Sequence, residues 1–569
     1  MTSRLQSPSA LGARAAASLA RDLVRAGRPE EALAVLDQAL DQALNQALNQ
    51  ALDQALHQAP GQAPDRSSGQ ALDRSPDRAR ASARAPDGAS RRPDGHDDDG
   101  GADGTPPDEP AIGPALLTRI ATLNFGLGRV DEADGELAAA RRRVRDPGLL
   151  AALIAQQGYH LAARGECRKA LAVLDAAPPA RPAAPAHPIA VAARATALTQ
   201  LGRCRQAAAL CDAALEAGVP PGMPPVIPEP LPALRAARQA ALLLAGDAAA
   251  ARAGLAEAVH GEPPPPAAER APLELCLAQA ERTLGAIGAA TRLARSAESA
   301  LAGTWLHAAA TGELAHLAAL RGDLAEAEEA LAAARRAASP AARLDGFWAE
   351  LAEPWVVALR DGQAAGAAAA LAAAGRARAA GAHGFELLAL HDVVRLAPPR
   401  SVACRRAATR LADLAVAFEG ALAKAAAAHA RAAAAGDPAA LTAASHELER
   451  IGLPLPAAEA AAQAADLLGA AGREIPARAA HARAWYLGAR CEGARTPALA
   501  RVREPRLTAR EGEVAALAAG GLSSKQIAAR LAMSVRTVDN HLRAVYLKLG
   551  IAGRTELIQV GVRPPAGIE

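Results

Sequence analysis

The strongest constraint on this chain is a glycine that keeps returning. Between Ala111 and Cys491, stretches rich in Ala and Leu are broken by short turns such as LGR, ARGE, AGD and RGD. Their glycines are Gly128, Gly165, Gly202, Gly246, Gly285, Gly322 and Gly362, followed later by Gly436 and Gly472. The first seven are spaced 37, 37, 44, 39, 37 and 40 residues apart, and the last two 36 apart. Glycine takes the left-handed backbone that stops a helix, so this period predicts stacked pairs of amphipathic helices. Aromatic residues make up only 2% of the chain, and runs of strand-favouring residues are scarce. A sheet has little to be built from, and the fold class is expected to be all-α.

The segments AGRPEEALAVLDQAL (26–40) and LRGDLAEAEEALAAARRA (320–337) resemble parts of tetratricopeptide repeats, although the Trp and Tyr of the full repeat are missing. The likeness implies a tetratricopeptide-like helical-hairpin solenoid in which each pair covers its apolar stripe against its neighbours. The expected organisation is an N-terminal helical segment (1–59), a linker (60–110), the helical body (111–495), a short second linker (496–506) and a C-terminal domain (507–563). Within the first segment Leu36, Leu40, Leu44, Leu48, Leu52 and Leu56 recur every four residues. That stripe drifts by about 40° per repeat, too far to stay on one core face, so it is read as a tandem extension of an existing helix. Residues 60–110 run through Asp, Arg, Gly, Ser and Pro and are expected to be disordered.

Several function classes are excluded at this level. The N-terminus is broken by Arg14 and Arg21 and has no signal-peptide core, and no stretch has the length and apolarity of a membrane span, which points to a cytoplasmic protein. The six cysteines (Cys167, Cys204, Cys211, Cys276, Cys404, Cys491) show no CxxC pair and are expected to be small buried hydrophobes. There is no HExxH, no GxSxG and no paired Cys/His spacing, so no enzyme activity, metal or cofactor is expected. His391 and Asp392 are taken as structural, and Trp305, Phe347, Trp348, Trp355 and Phe385 as core packing. Only four of the 63 basic residues are Lys, the bias of a GC-rich genome such as that of an actinobacterium. Residues 501–569 hold 11 basic and 6 acidic side chains, so the net +3 of the chain is concentrated at its end, where a phosphate backbone would draw on it.

That end carries the densest punctuation. Thr508 with Glu511, and Ser523 with Gln526, have capping-box spacing; Gly520 and Gly521 stop the first helix, and Ala532 and Met533 form a turn before Ser534 caps a third. Short helices joined by such a turn predict a helix-turn-helix. On the third helix Val538, Leu542, Val545 and Leu549 form an apolar stripe expected to pack on Val514, Leu517, Ile527 and Leu531. Arg536, Asn540 and Arg543 fall on the opposite side with Asp539 beside them: Asn suits adenine, Arg suits guanine or phosphate, and Asp can accept from cytosine. Thr537 and Lys525, near helix starts, suit phosphates. The DNA-binding candidates are therefore Lys525, Arg536, Thr537, Asp539, Asn540, Arg543 and Lys548.

The stretches LTAREGEV, GLSSKQIAARL, SVRTVDNHLRAVYLKLG and GRTEL together resemble the LuxR-type DNA-binding domain. FELLALHDVVRLAPP and ARCEGARTPAL further resemble the C-terminal part of large ATP-binding LuxR regulators of actinobacteria. The resemblance implies a cytoplasmic transcriptional regulator that binds double-stranded DNA, commonly as a homodimer through its last helix, here about Arg554 to Val560. No GxxxxGK[ST] occurs, and Lys169 sits in GECRKAL, so the chain is expected to begin within the repeat region, without the family's ATPase. Asp539 stands where related helices are often basic, and it is expected to contact a base or to pair with Arg536 or Arg543. The favoured function is a regulator whose body senses a protein or small-molecule effector. The alternative is an interaction scaffold or truncated regulator that keeps DNA binding without sensing. A sigma-factor-like reading is disfavoured by the YLKLGIAGRTEL ending, and a response-regulator reading by the lack of β-α alternation.

Overall fold

The computed structural model describes residues 12–58, 109–177, 187–220, 227–549, 551 and 553–559. The expected disorder of 60–110 therefore falls almost wholly outside the described residues, as does Val560 at the end of the last helix. Among the described residues there are 26 α-helices and no strand. Each helix of the body packs chiefly on helices one or two places away in the chain. All nine recurring turn glycines have positive φ, from +64° at Gly436 to +94° at Gly362. The period read from the sequence is thus a period of helix ends.

Alanine sets the packing. Helices such as Pro454–Ala470 and Leu422–Ala435 are buried along most of their length, mainly through Ala. Side chains this small let backbones approach closely and lose little rotamer entropy on burial. All six cysteines are buried and unpaired, as expected. Burial pushes five of their thiols (Cys167, Cys204, Cys211, Cys276 and Cys491) up to about 12, so they pack as small hydrophobes. The tandem leucines lie on one 30-residue helix, Pro29–Gln58. Leu36 is fully buried, Leu40 partly buried and Leu44 63% exposed, the outward drift a four-residue repeat produces.

One expectation needs correction. A nearest-neighbour solenoid would leave distant repeats apart, but here the superhelix closes on itself. Turns far apart in the chain lie directly on one another: Glu419 N–H donates to Gly202 O at 2.8 Å, Ala421 N–H to Ala245 O at 2.7 Å, and Arg495 N–H to Leu320 O at 2.7 Å. The approach at Gly420 is so close that a Cβ there would lie 2.2 Å from Ala245 O. Two carboxylates cap helices across this seam. Glu419 accepts from Arg205 N and Gln206 N (2.8 and 3.3 Å), and Glu492 from Gly288 N and Ala289 N (2.7 and 3.3 Å). The helices they cap, Cys204–Ala217 and Ile287–Leu301, begin at Arg203 and Ala286, which offer no side-chain cap of their own. These partners are 214 and 204 residues away in the chain.

The closed body also buries charge. Arg395 bonds Asp392 at 2.8 Å and Glu459 at 2.5 Å, while His391 meets His429 at 3.2 Å and His429 meets Gln463 at 2.9 Å. His391 and Asp392 thereby join helices His383–Leu396, Leu422–Ala435 and Pro454–Ala470. Burial lowers His391 and His429, so both rings stay neutral. Among the described residues no helix is long and apolar enough to cross a membrane.

Candidate nucleic-acid interface

The tail is built from local rules that can be followed residue by residue. Thr508 starts helix Ala509–Ala519 with both bonds of a capping box: Glu511 N–H donates to Thr508 Oγ1 at 3.3 Å, and Thr508 N–H to Glu511 Oε2 at 2.7 Å. Ser523 and Gln526 repeat the arrangement at helix Ser524–Arg530. Ser534 Oγ accepts from Thr537 N–H at 3.1 Å and starts the recognition helix Val535–Leu549. Val538, Leu542, Val545 and Leu549 are buried on that helix, against buried Val514 and Ile527 and half-buried Leu517 and Leu531. The apolar stripe and its partners are those expected from spacing alone.

With that stripe turned inward, the opposite side of the helix faces out. Arg536, Thr537, Asp539, Asn540 and Arg543 are all exposed, and so is Lys525 in the first turn of the preceding helix. Arg510–Glu513 and Lys548–Glu511 form ion pairs in this domain, both at 2.6 Å. Among the described residues Asp539 has no pair with Arg536 or Arg543, so the intrahelical pair considered for it does not form. Thr537 bonds Ser534 through their hydroxyls at 2.8 Å. Lys548 is engaged: its ammonium holds the Glu511 carboxylate, tying the end of the recognition helix to the start of the supporting one. Burial opposes the charge of Glu511, but the bonds from Lys548 and Thr508 outweigh it and hold the carboxyl below its ordinary range.

Sequence reasoning missed the contacts that aim this face. Arg510 donates to Leu531 O at 2.7 Å, fixing the end of the second helix, and Arg554 does the same for Leu522 O. These partners lie 21 and 32 residues apart, beyond the reach of any local pattern. Ala532 in the turn has φ +51°, a left-handed conformation for which a glycine would have been the signal. Arg530, exposed in the last turn of the second helix, adds a basic group that the motif left unassigned.

Three short helices locked in this way, with an exposed row of Arg, Asn, Thr and Asp on the last long one, form a helix-turn-helix reading head. Residues 505–560 match the family described as bacterial regulatory proteins, luxR family. The tail is a LuxR-type domain. Over 57 residues it is 49% identical to a putative HTH-type transcriptional regulator of Mycobacterium bovis and 47% identical to one of Mycobacterium tuberculosis. Over 58 residues it is 43% identical to the HTH-type transcriptional regulator MalT of Serratia proteamaculans. Each match covers 10% of this chain and 6% of the relative's length, so the likeness is one of the LuxR-type domain and does not extend over the body.

The LuxR-type domain does not hang free. Its recognition helix packs on body helix Glu474–Ala489. The expected linker at 496–506 lies along the body as well: Leu499 and Val502 pack on Ala461, Ala462 and Ala484, and Arg503 N–H donates to His481 Nε2 at 3.0 Å.

Proposed function

We propose that the chain is a cytoplasmic transcriptional regulator that binds specific double-stranded DNA sequences through its LuxR-type domain, under control of the helical body. The observation that carries this reading is the exposed polar row on a recognition helix whose other side is wholly committed to the core. Arg536, Asn540 and Arg543 read base edges in the major groove, with Asp539 accepting from cytosine. Lys525, with Thr537 beside it, positions the backbone through phosphates. Lys548 acts through its bond to Glu511, and turns to phosphate only where DNA displaces that bond. Homodimerisation through the last helix, Arg554–Gln559 and beyond, places two such heads on paired half-sites. The body, packed against the reading head, senses a protein or small-molecule effector.

The test is DNA binding by the full chain, with a site selected from a random pool and read by fluorescence anisotropy. Asn540→Ala or Arg543→Ala should each cost about 1–3 kcal/mol on that site and relax base preference. A loss that is equal on all sequences would reassign these side chains to the phosphate backbone. Unchanged binding in both variants would show that the recognition face is assigned wrongly, and no DNA binding by the full chain would favour the alternative of an interaction scaffold.

A further inference from the structure

The body holds a partly open cavity of about 230 Å³, bordered by the N-terminal helix Ala13–Arg25 and by helices Pro147–Ala163, Pro230–Ala245, Ala267–Thr283 and Arg343–Asp361. Its wall departs sharply from the composition of the chain. Of only eleven aromatic residues, Tyr159, Trp305, Trp348 and Phe385 line it. Trp305, Trp348 and Phe385 were expected in the core, and the structure divides that set: Phe347, Trp355 and Phe385 are core residues at 1%, 2% and 7% exposure, Phe385 also reaching the cavity wall, whereas Trp305 and Trp348 are only partly buried and face the cavity.

The charged side chains on the wall are Arg21, Arg25, Glu229 and Asp345. Three of them satisfy one another. Arg21 and Arg25 share the Glu229 carboxylate, Arg21 at 3.5 Å, and Arg25 also pairs with Asp22 at 3.1 Å. Asp345 is different. It sits in the first turn of Arg343–Asp361 and makes no hydrogen bond or ion pair among the described residues. On the same wall the Gln239 amide nitrogen is turned elsewhere, donating to Cys276 O at 3.2 Å and to Gln279 Oε1 at 3.4 Å. Burial raises the Asp345 carboxyl to about 7, and burial together with that carboxylate raises the neighbouring Tyr159 hydroxyl and Cys276 thiol. A carboxylate that faces an apolar, ring-lined cavity with no protein partner is costly, and a position with only a packing role would be filled by an apolar residue instead.

We propose that this cavity takes a small organic cation, an aromatic or aliphatic amine whose ammonium meets the Asp345 carboxylate while its apolar part lies among Tyr159, Trp305 and Trp348. Aromatic faces and a carboxylate both attract a cation, and both lose by facing an anion. A neutral ligand would fill the space and leave the carboxylate uncompensated. Size agrees, since an apolar cavity of ~150 Å³ already admits benzene. The proposal rests on the reading that the body senses a signal, and it names the class of that signal.

Titration calorimetry on the full chain, with tryptamine and phenethylamine set against 2-phenylethanol and 3-phenylpropionate, tests the chemistry. The amines should bind, the alcohol about tenfold or more weaker, and the carboxylate weakest; Asp345→Asn, which keeps shape and removes charge, should weaken the amines about tenfold or more. Absence of binding by both amines, equal binding of amine and alcohol, or an Asn variant that binds amines like the parent overturns the assignment. The comparison among probes on the unaltered chain needs no variant to fold. DNA affinity with and without saturating amine is a separate arm. An amine that binds and leaves DNA affinity unchanged keeps the cavity assignment and removes the sensing role. A DNA response to some other effector, with no amine bound, does the reverse.

Discussion

The body and the tail are both entirely helical among their described residues, yet they start their helices differently. In the tail every cap comes from within three residues: Thr508 with Glu511, Ser523 with Gln526, Ser534 with Thr537. In the body Asp146, Asp247, Asp323, Ser401 and Asp437 cap locally, but Cys204–Ala217 and Ile287–Leu301 are capped by Glu419 and Glu492 from the far side of the superhelix. A domain of some fifty residues has to specify itself locally, because it has little core to spare. A body of several hundred residues can let distant turns complete one another, and its repeats then stop behaving as a one-dimensional stack.

Leu542→Ala should have the largest effect and break the tail alone. Leu542 is 4% exposed in the small core beneath the recognition helix, so the truncation should cost about 2–5 kcal/mol. DNA binding should vanish while circular dichroism keeps most of its helical signal; collapse of the whole signal would mean that the two regions fold as one unit. Next come the caps. Ser523→Ala and Glu419→Ala each remove a side-chain oxygen acceptor from a helix start and should each cost about 1 kcal/mol. Hydrogen exchange separates them: the first should loosen only the tail, the second both Cys204–Ala217 and the turn at Gly420. If Glu419→Ala loosens one side alone, the seam is a contact without coupling.

Two further effects sharpen the contrast in electrostatics. For Asp345 the folded-state carboxyl is raised from 3.8 to about 7, so the folded protein holds this proton more tightly than the unfolded chain. Stability should therefore fall as pH rises from about 4 to about 7 and level off above. Asp345→Asn should melt higher than the parent at pH 8, with the gap closing towards pH 4; a constant gap would show that the charge is not its source. In the tail, Lys525→Ala should weaken binding to all DNA sequences alike and reduce the salt slope by about one. A loss confined to one sequence would give Lys525 a base contact.

How much was legible follows from the same contrast. Both capping boxes, the apolar stripe of Val538, Leu542, Val545 and Leu549, and the exposure of Arg536, Asn540 and Arg543 could be read from spacing, because helix geometry converts spacing into faces. The turn glycines were legible for the same reason. Lys548 was not, since its partner Glu511 is 37 residues away. Nor were the ties from Arg510 and Arg554 to backbone carbonyls, the left-handed Ala532, or the gathering of Tyr159, Trp305, Trp348 and Phe385 around Asp345.

By itself, the sequence determined that this protein is helical, where many of its helices end, and which side of one helix is free to meet DNA. These follow from the backbone preferences of glycine, the capping chemistry of Ser, Thr and Asp, and the 3.6-residue period. Only the tertiary structure decided that the body closes on itself, that carboxylates more than 200 residues away cap its helices, and that one unpaired carboxylate faces a ring-lined cavity. Those arrangements depend on the small rotation each helix pair makes against the next. Packing of alanine against alanine sets that rotation, and no single residue announces it.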